Sequence, residues 1–218
     1  MCILPGAAFC VLSTVLLAFP LLAQQATKPR PAQPATSAPD PGAVANGVYH
    51  NNGFRFTYKI PFGWVNRTQE MGEDSNDDST PNSTDSKKSV VFLAVFERPP
   101  ESTGDSVNSA VVIAAEAASS YPGLRSAEQY FGPLTELTKA KGLTVVNEPY
   151  DFRVGTSQLV RGDFTKPIGK LTMNQSTLVM IEKSYVVSFT FIAGSQDELD
   201  ELIASLKFDR TESSAVSK

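Results

Sequence analysis

An α+β sandwich, an antiparallel sheet covered by helices, is the fold this sequence predicts. Two observations carry it. Strand-like segments outnumber helical ones, and most are joined by short turns. A parallel sheet would need a helix between most strands, and those helices are absent.

The elements follow in order. Tyr49 and His50 lead into Asn51-Asn52-Gly53, a turn sequence in which Asn and Gly tolerate positive φ. Phe54, Phe56, Tyr58 and Ile60 then alternate with Arg55, Thr57 and Lys59, the period of a strand with one buried face. Pro61-Phe62-Gly63-Trp64 ends that strand, and a polar stretch runs from Glu70 to Ser89. Val90 to Phe96 is a continuous apolar run, as a central strand requires. Ala110 to Ala115 reads as a strand because Val111, Val112 and Ile113 are β-branched. The spacing predicts a first helix from Ser126, with Ser126 and Gln129 as a capping box, a kink at Pro133, and Gly142 as C-terminal cap. Strands are expected over Leu143 to Asn147, Tyr150 to Val154, Ser157 to Phe164, Leu171 to Ile181 and Tyr185 to Ala193. Glu182-Lys183-Ser184 turns the chain before the last of these. A second helix opens on a Ser195–Glu198 capping box, and Leu199, Leu202, Ile203 and Leu206 form its core stripe.

The chain has 218 residues, 41% of them hydrophobic, and a net charge of −4. That charge is too small to organise binding to a polyanion, which argues against nucleic acid as a partner. Residues 7–23 read AAFCVLSTVLLAFPLLA without a charge, the length of a signal-peptide core and short for a spanning helix. A cut after Ala23 is expected, although no Lys or Arg precedes Lys28; a retained segment would be the one membrane contact. Cys2 and Cys10 both fall before that cut, so the mature chain would have no cysteine and would rest on its core alone. Residues 24–43 form a proline-rich linker that cannot bury enough surface to fold. The domain is expected over 44–210, followed by a flexible tail at 211–218. The sequons at Asn66, Asn82 and Asn174 are ascribed to chance, and a bacterial envelope origin, periplasmic or secreted, is expected.

Reactive constellations are scarce. His50 is the only histidine, no G-x-S-x-G elbow accompanies it, and it is read as a surface or edge-strand residue. A zinc site needs several His or Cys ligands, and the mature chain would offer one histidine and no cysteine. Neither a phosphate loop nor a dinucleotide fingerprint occurs. Glu148, Asp151 and Asp163 fall at strand ends where a catalytic carboxylate pair could form. Asp74, Asn76, Asp78, Thr80, Asn82 and Asp85 occupy the oxygen-ligand positions of a calcium loop, but Ser79 stands where Gly is required and Pro81 follows soon after. That segment is read instead as a solvated insertion. Phe62 and Trp64 are expected to plug the end of the core, and Tyr121 to lie exposed in a Tyr-Pro-Gly loop. Arg125, Lys139 and Lys141 form an ordinary basic helix edge.

Two segments together carry a family resemblance. FRFTYKIPFGW at 54–64, with Pro61, Gly63 and Trp64 closing a strand, is followed far along the chain by VVSFTFIAGSQDELDELIASLKF at 186–208. From about Gly47 to Phe208 the chain resembles the PsbP-like superfamily. The resemblance implies a three-layer α/β/α sandwich around an antiparallel sheet. The superfamily includes extrinsic photosystem II subunits, a nuclear Ran-binding relative and many bacterial envelope proteins. It shares no single activity, so it implies no catalytic, cofactor-binding or metal residues here. The expectation is a non-catalytic, monomeric, exported accessory domain that associates with an envelope partner and uses no cofactor. The alternative is a periplasmic hydrolase built on carboxylates.

Overall fold

The structure, a computed structural model, describes residues 38–74, 89–102 and 104–209. The signal segment, most of the linker, the last residues of the chain and all calcium-loop positions after Asp74 lie outside the described residues.

Strands β1 (Ala43–Ala45) and β2 (Val48–Asn51) form a hairpin through Asn46-Gly47. Both turn residues have positive φ, 51° and 75°, as the tightest hairpin turns demand. The sequence reading overlooked this Asn-Gly signal. Strand β3 (Phe56–Lys59) pairs with β2, and the chain does turn after Asn51. The left-handed residue of that turn is Arg55, at φ 56°, rather than Asn52 or Gly53. Asn51 shapes the turn through its buried side chain, which accepts from the Phe54 amide at 2.8 Å and donates to the Asp40 carbonyl at 3.0 Å.

After β4 (Val65–Asn66) comes α1 (Thr68–Asp74), where a solvated insertion was expected to begin at Glu70. Local side chains explain it: Asn66 Oδ1 accepts from the Thr68 amide and hydroxyl, at 2.9 and 2.7 Å. Gln69 also bonds Glu73 one turn on. Strands β5 (Ser89–Phe96) and β6 (Ala110–Ala117) follow as expected. A bulge between Val91 and Leu93 lets Phe92 and Leu93, consecutive residues, face the same core.

Helix α2 (Ala127–Ala140) runs on through Pro133. Its capping box does not form: the Ser126 side chain makes no cap bond, and Gln129 accepts from the Arg125 amide at 2.8 Å instead. Its end is as predicted. Gly142 has φ 82°, its amide donates to Lys139 at 2.9 Å, and the Leu143 amide donates to Thr138 at 3.1 Å. Next come β7 (Thr144–Val145), β8 (Tyr150–Val154), β9 (Ser157–Ile168), β10 (Leu171–Glu182) and β11 (Tyr185–Ala193). Helix α3 (Gln196–Ala204) and β12 (Leu206–Phe208) close the domain. Ser195 caps α3 by accepting from the Glu198 amide at 3.2 Å. The Glu198 carboxylate leaves the box to accept from Ser109 at 2.5 Å and from the Gly194 amide at 3.2 Å.

The α+β class holds, with every strand pair antiparallel. Among the described residues the strands form two sheets, not one. A four-stranded sheet has the order β1-β2-β3-β12, and an eight-stranded sheet has the order β4-β5-β6-β11-β10-β9-β7, with β8 also on β9. Strand β11 shows how the layers arise. Its odd residues Tyr185, Val187, Phe189, Phe191 and Ala193 enter the main core with Phe56 and Tyr58 of the small sheet and Leu199, Leu202 and Ile203 of α3. Val186 points the other way, to the core made by Tyr130 and Phe131 of α2. One face of the large sheet is thus covered by α2, and the other by a mixed layer of small sheet and α3. Glu116 of β6 pins α2 by accepting from Tyr130 at 3.0 Å and from Tyr121. Tyr121, expected in the open, is half-buried edge-on against Tyr130, ring centroids 5.1 Å apart.

Candidate functional site

The turn after β3 is where the chain exposes what it would ordinarily hide. The Ile60 amide donates to the Gly47 carbonyl at 2.9 Å, tying β3 to the first hairpin. Pro61 has no amide to extend the pairing, and Gly63, at φ 82°, reverses the chain so that the Trp64 amide reaches the Pro61 carbonyl at 3.4 Å. Phe62 is left at the tip, 106% exposed. Trp64 is half-buried against the main core. Of the expected pair of core plugs, Trp64 is therefore a partial one and Phe62 is none. The two rings, with Val44, Ile60 and Leu202, border a groove of about 840 Å³ beside α3, where Lys59, Glu198 and Glu201 supply the polar groups. A fully exposed Phe forgoes about 2 kcal/mol of burial energy.

The three carboxylates singled out in the sequence separate. Glu148 and Asp151 are exposed, while Asp163 of β9 is half-buried. Its Oδ2 accepts from Asn147 at 3.1 Å and Tyr150 at 3.0 Å; its Oδ1 accepts from Arg161 Nε at 2.8 Å and from the Ser176 hydroxyl. Burial pushes the Asp163 carboxyl up, but the bonds from Ser176, Arg161 and Asn147, with the Arg161 charge, outweigh it and hold the group below its ordinary 3.8. Each oxygen has two donors, so the carboxylate is ionised and fully engaged, which suits an anchor and not a proton carrier. Arg161 also faces Asp200 of α3 at 3.6 Å and lies 5.1 Å from the Phe152 ring centroid. Sequence reasoning missed Arg161, Asp200, Tyr150 and Ser176. The alternation of β9 places Leu159, Arg161 and Asp163 on one face, a signal that a period-two reading of Ser157 to Phe164 contains.

His50 is exposed on β2, inside the small sheet and not at its edge. Arg125, Lys139 and Lys141 are exposed as expected. Among the described residues no three His, Cys, Asp or Glu side chains gather as metal ligands would. No helix among them is long and apolar enough to cross a membrane.

No protein-family model matches the chain, and no curated protein matches it in sequence. Solved structures do resemble it. A Bacteroides thetaiotaomicron protein is 13% identical at a TM-score of 0.37, covering 77% of this chain; the chain spans half, 50%, of that protein's length. LpqN of Mycobacterium tuberculosis, involved in cell envelope biogenesis, is 10% identical at a TM-score of 0.34, over 71% of this chain and 83% of LpqN. Cyanobacterial PsbP from Synechocystis sp. PCC 6803 is 12% identical at a TM-score of 0.45, over 77% of this chain and 96% of that one. Likeness at this identity transfers no activity. All three TM-scores lie below 0.5, so these likenesses assign the chain to no family.

Proposed function

We propose that this chain is an exported accessory domain that acts without catalysis, by associating with an envelope protein through the Phe62 turn. The observation that carries this reading is the complete exposure of Phe62, held out by a turn whose backbone is bonded on both sides. Large aromatic side chains at the centre of an apolar patch dominate the energy of protein association once a partner desolvates them. The partner this geometry suits offers an apolar recess to the ring and polar groups to Lys59 and Glu201 at its rim. Export rests on the uncharged segment at 7–23, and reach on the proline-rich linker that follows it.

Photoactivatable residues placed singly at Phe62 and at Leu137 test this in living cells. Leu137 is a control of comparable character, 54% exposed on α2. A defined crosslinked product is expected from position 62 and not from 137. Phe62→Ser, introduced beside a probe at Lys59, should abolish the product while changing stability by less than about 0.5 kcal/mol. Equal products from 62 and 137, or a product that survives Phe62→Ser, would overturn the reading.

A further inference from the structure

A second cavity lies on the other flank of α3 from the Phe62 groove. It has a volume of about 820 Å³ and opens between the β8–β9 hairpin and the α3–β12 segment. Phe152, Val154, Ile203, Leu206 and Phe208 give it apolar walls. Phe152, Val154 and Phe208 are only partly buried by the rest of the chain, so the cavity leaves apolar area for a ligand to cover. The size falls within the range of small-molecule sites.

Its charges run against those of the molecule. The chain carries a net −4, yet Arg153, Arg161 and Lys207 line this cavity against the single carboxylate of Asp200. Arg161 is the built element. Its side chain is 8% exposed, its Nε is committed to Asp163 at 2.8 Å, and its guanidinium carbon lies 5.1 Å from the Phe152 ring centroid. Its Nη2 stands 3.6 Å from Asp200, beyond good hydrogen-bond length. Arg153, which donates to Gln158 at 3.3 Å, and Lys207 are exposed at the mouth.

Apolar walls with cations at base and mouth fit one ligand class. We infer that this cavity binds a single-chain amphiphile with an anionic head group, the acyl or alkyl chain against Phe152, Val154 and Phe208 and the head among Arg161, Arg153 and Lys207. The inference does not rest on the Phe62 reading, because the two sites use different residues of α3.

Calorimetric titration of the full chain with dodecanoate, dodecyl phosphate, dodecanol and dodecyltrimethylammonium tests it. Saturable binding of at least one anionic probe is expected, at least tenfold tighter than dodecanol, and none of the cation. The stronger anion identifies the head group as carboxylate or phosphate. Two variants at exposed positions separate the contributions. R153E/K207E should weaken the anion at least tenfold while leaving dodecanol unchanged. Ala204→Trp, which fills the cavity, should abolish both. Equal affinity for anion and alcohol, no saturable binding of either anion, or binding unchanged in Ala204→Trp would overturn the inference.

Discussion

Placing a methyl group on Gly162 is the sharpest test of how α2 seats on the large sheet. Gly162 is buried in β9 on the face that α2 covers. A Cβ built there would lie 2.4 Å from Cε1 and 2.8 Å from Cδ1 of Phe131. That is roughly 1 Å inside the closest comfortable carbon contact. Phe131 is 2% exposed and packed among Tyr130, Leu143, Phe164 and Val179, so its ring has no room to swing away. Overpacking of this kind costs about 1–3 kcal/mol. The backbone of Gly162 is not in the left-handed region, so alanine adds no strain of its own. Without the clash, Gly162→Ala should therefore stabilise by about 0.4–1 kcal/mol through the unfolded chain. The two terms are separable. Urea unfolding followed by the fluorescence of Trp64, the single tryptophan, should show Gly162→Ala destabilised in the parent chain. Phe131→Ala alone should cost about 3–5 kcal/mol. Adding Gly162→Ala to Phe131→Ala should then cost nothing or stabilise slightly, a coupling of about 2 kcal/mol. A Gly162→Ala protein as stable as the parent, or one equally destabilised with and without the Phe131 ring, would refute the reasoning.

The hairpin between β10 and β11 turns on Lys183 and Ser184, both left-handed at φ 51° and 67° with no glycine. Ser184→Gly should relieve the second position and stabilise by about 0.5–1 kcal/mol, read as a higher calorimetric midpoint; a lower one would refute the strain. Asp163 should contribute to acid unfolding. Its carboxyl is depressed in the folded chain, so its stabilisation is present above the unfolded value of 3.8 and is lost as pH falls through the lower folded value. Asp163→Asn should lower stability at neutral pH and flatten the decline of stability over that acid window in urea titrations; an unchanged acid slope would show that the carboxyl is not depressed.

The strand pattern was legible because side-chain alternation is a property of each segment alone. Tyr150–Val154 and Tyr185–Ala193 form strands with the bounds read from the sequence. The C-terminal cap at Gly142 was legible for the same reason, since it depends on one residue lacking a Cβ. Features that depend on competing partners were not. Glu198 had the spacing of a capping box, but Ser109, far away in sequence, draws its carboxylate. Gln129 satisfied the Arg125 amide in place of the Ser126 one. The site residues show the same division. Phe62 continues an aromatic run whose neighbours are buried, and only the turn at Gly63 sends it outward.

By itself, then, the sequence determined the α+β class, the position of most strands and both longer helices, and the poverty of the chain in histidine and cysteine. These follow from periodicity, chirality and composition, which act within a few residues. Only the tertiary structure decided that the strands divide into two sheets, that Asp163 is locked by four donors while Asp151 stays in solvent, and that Arg161 lies beneath an apolar cavity. Burial and pairing depend on which distant segment covers a side chain, as α3 does for Arg161, and that choice is made by the packing of the whole domain.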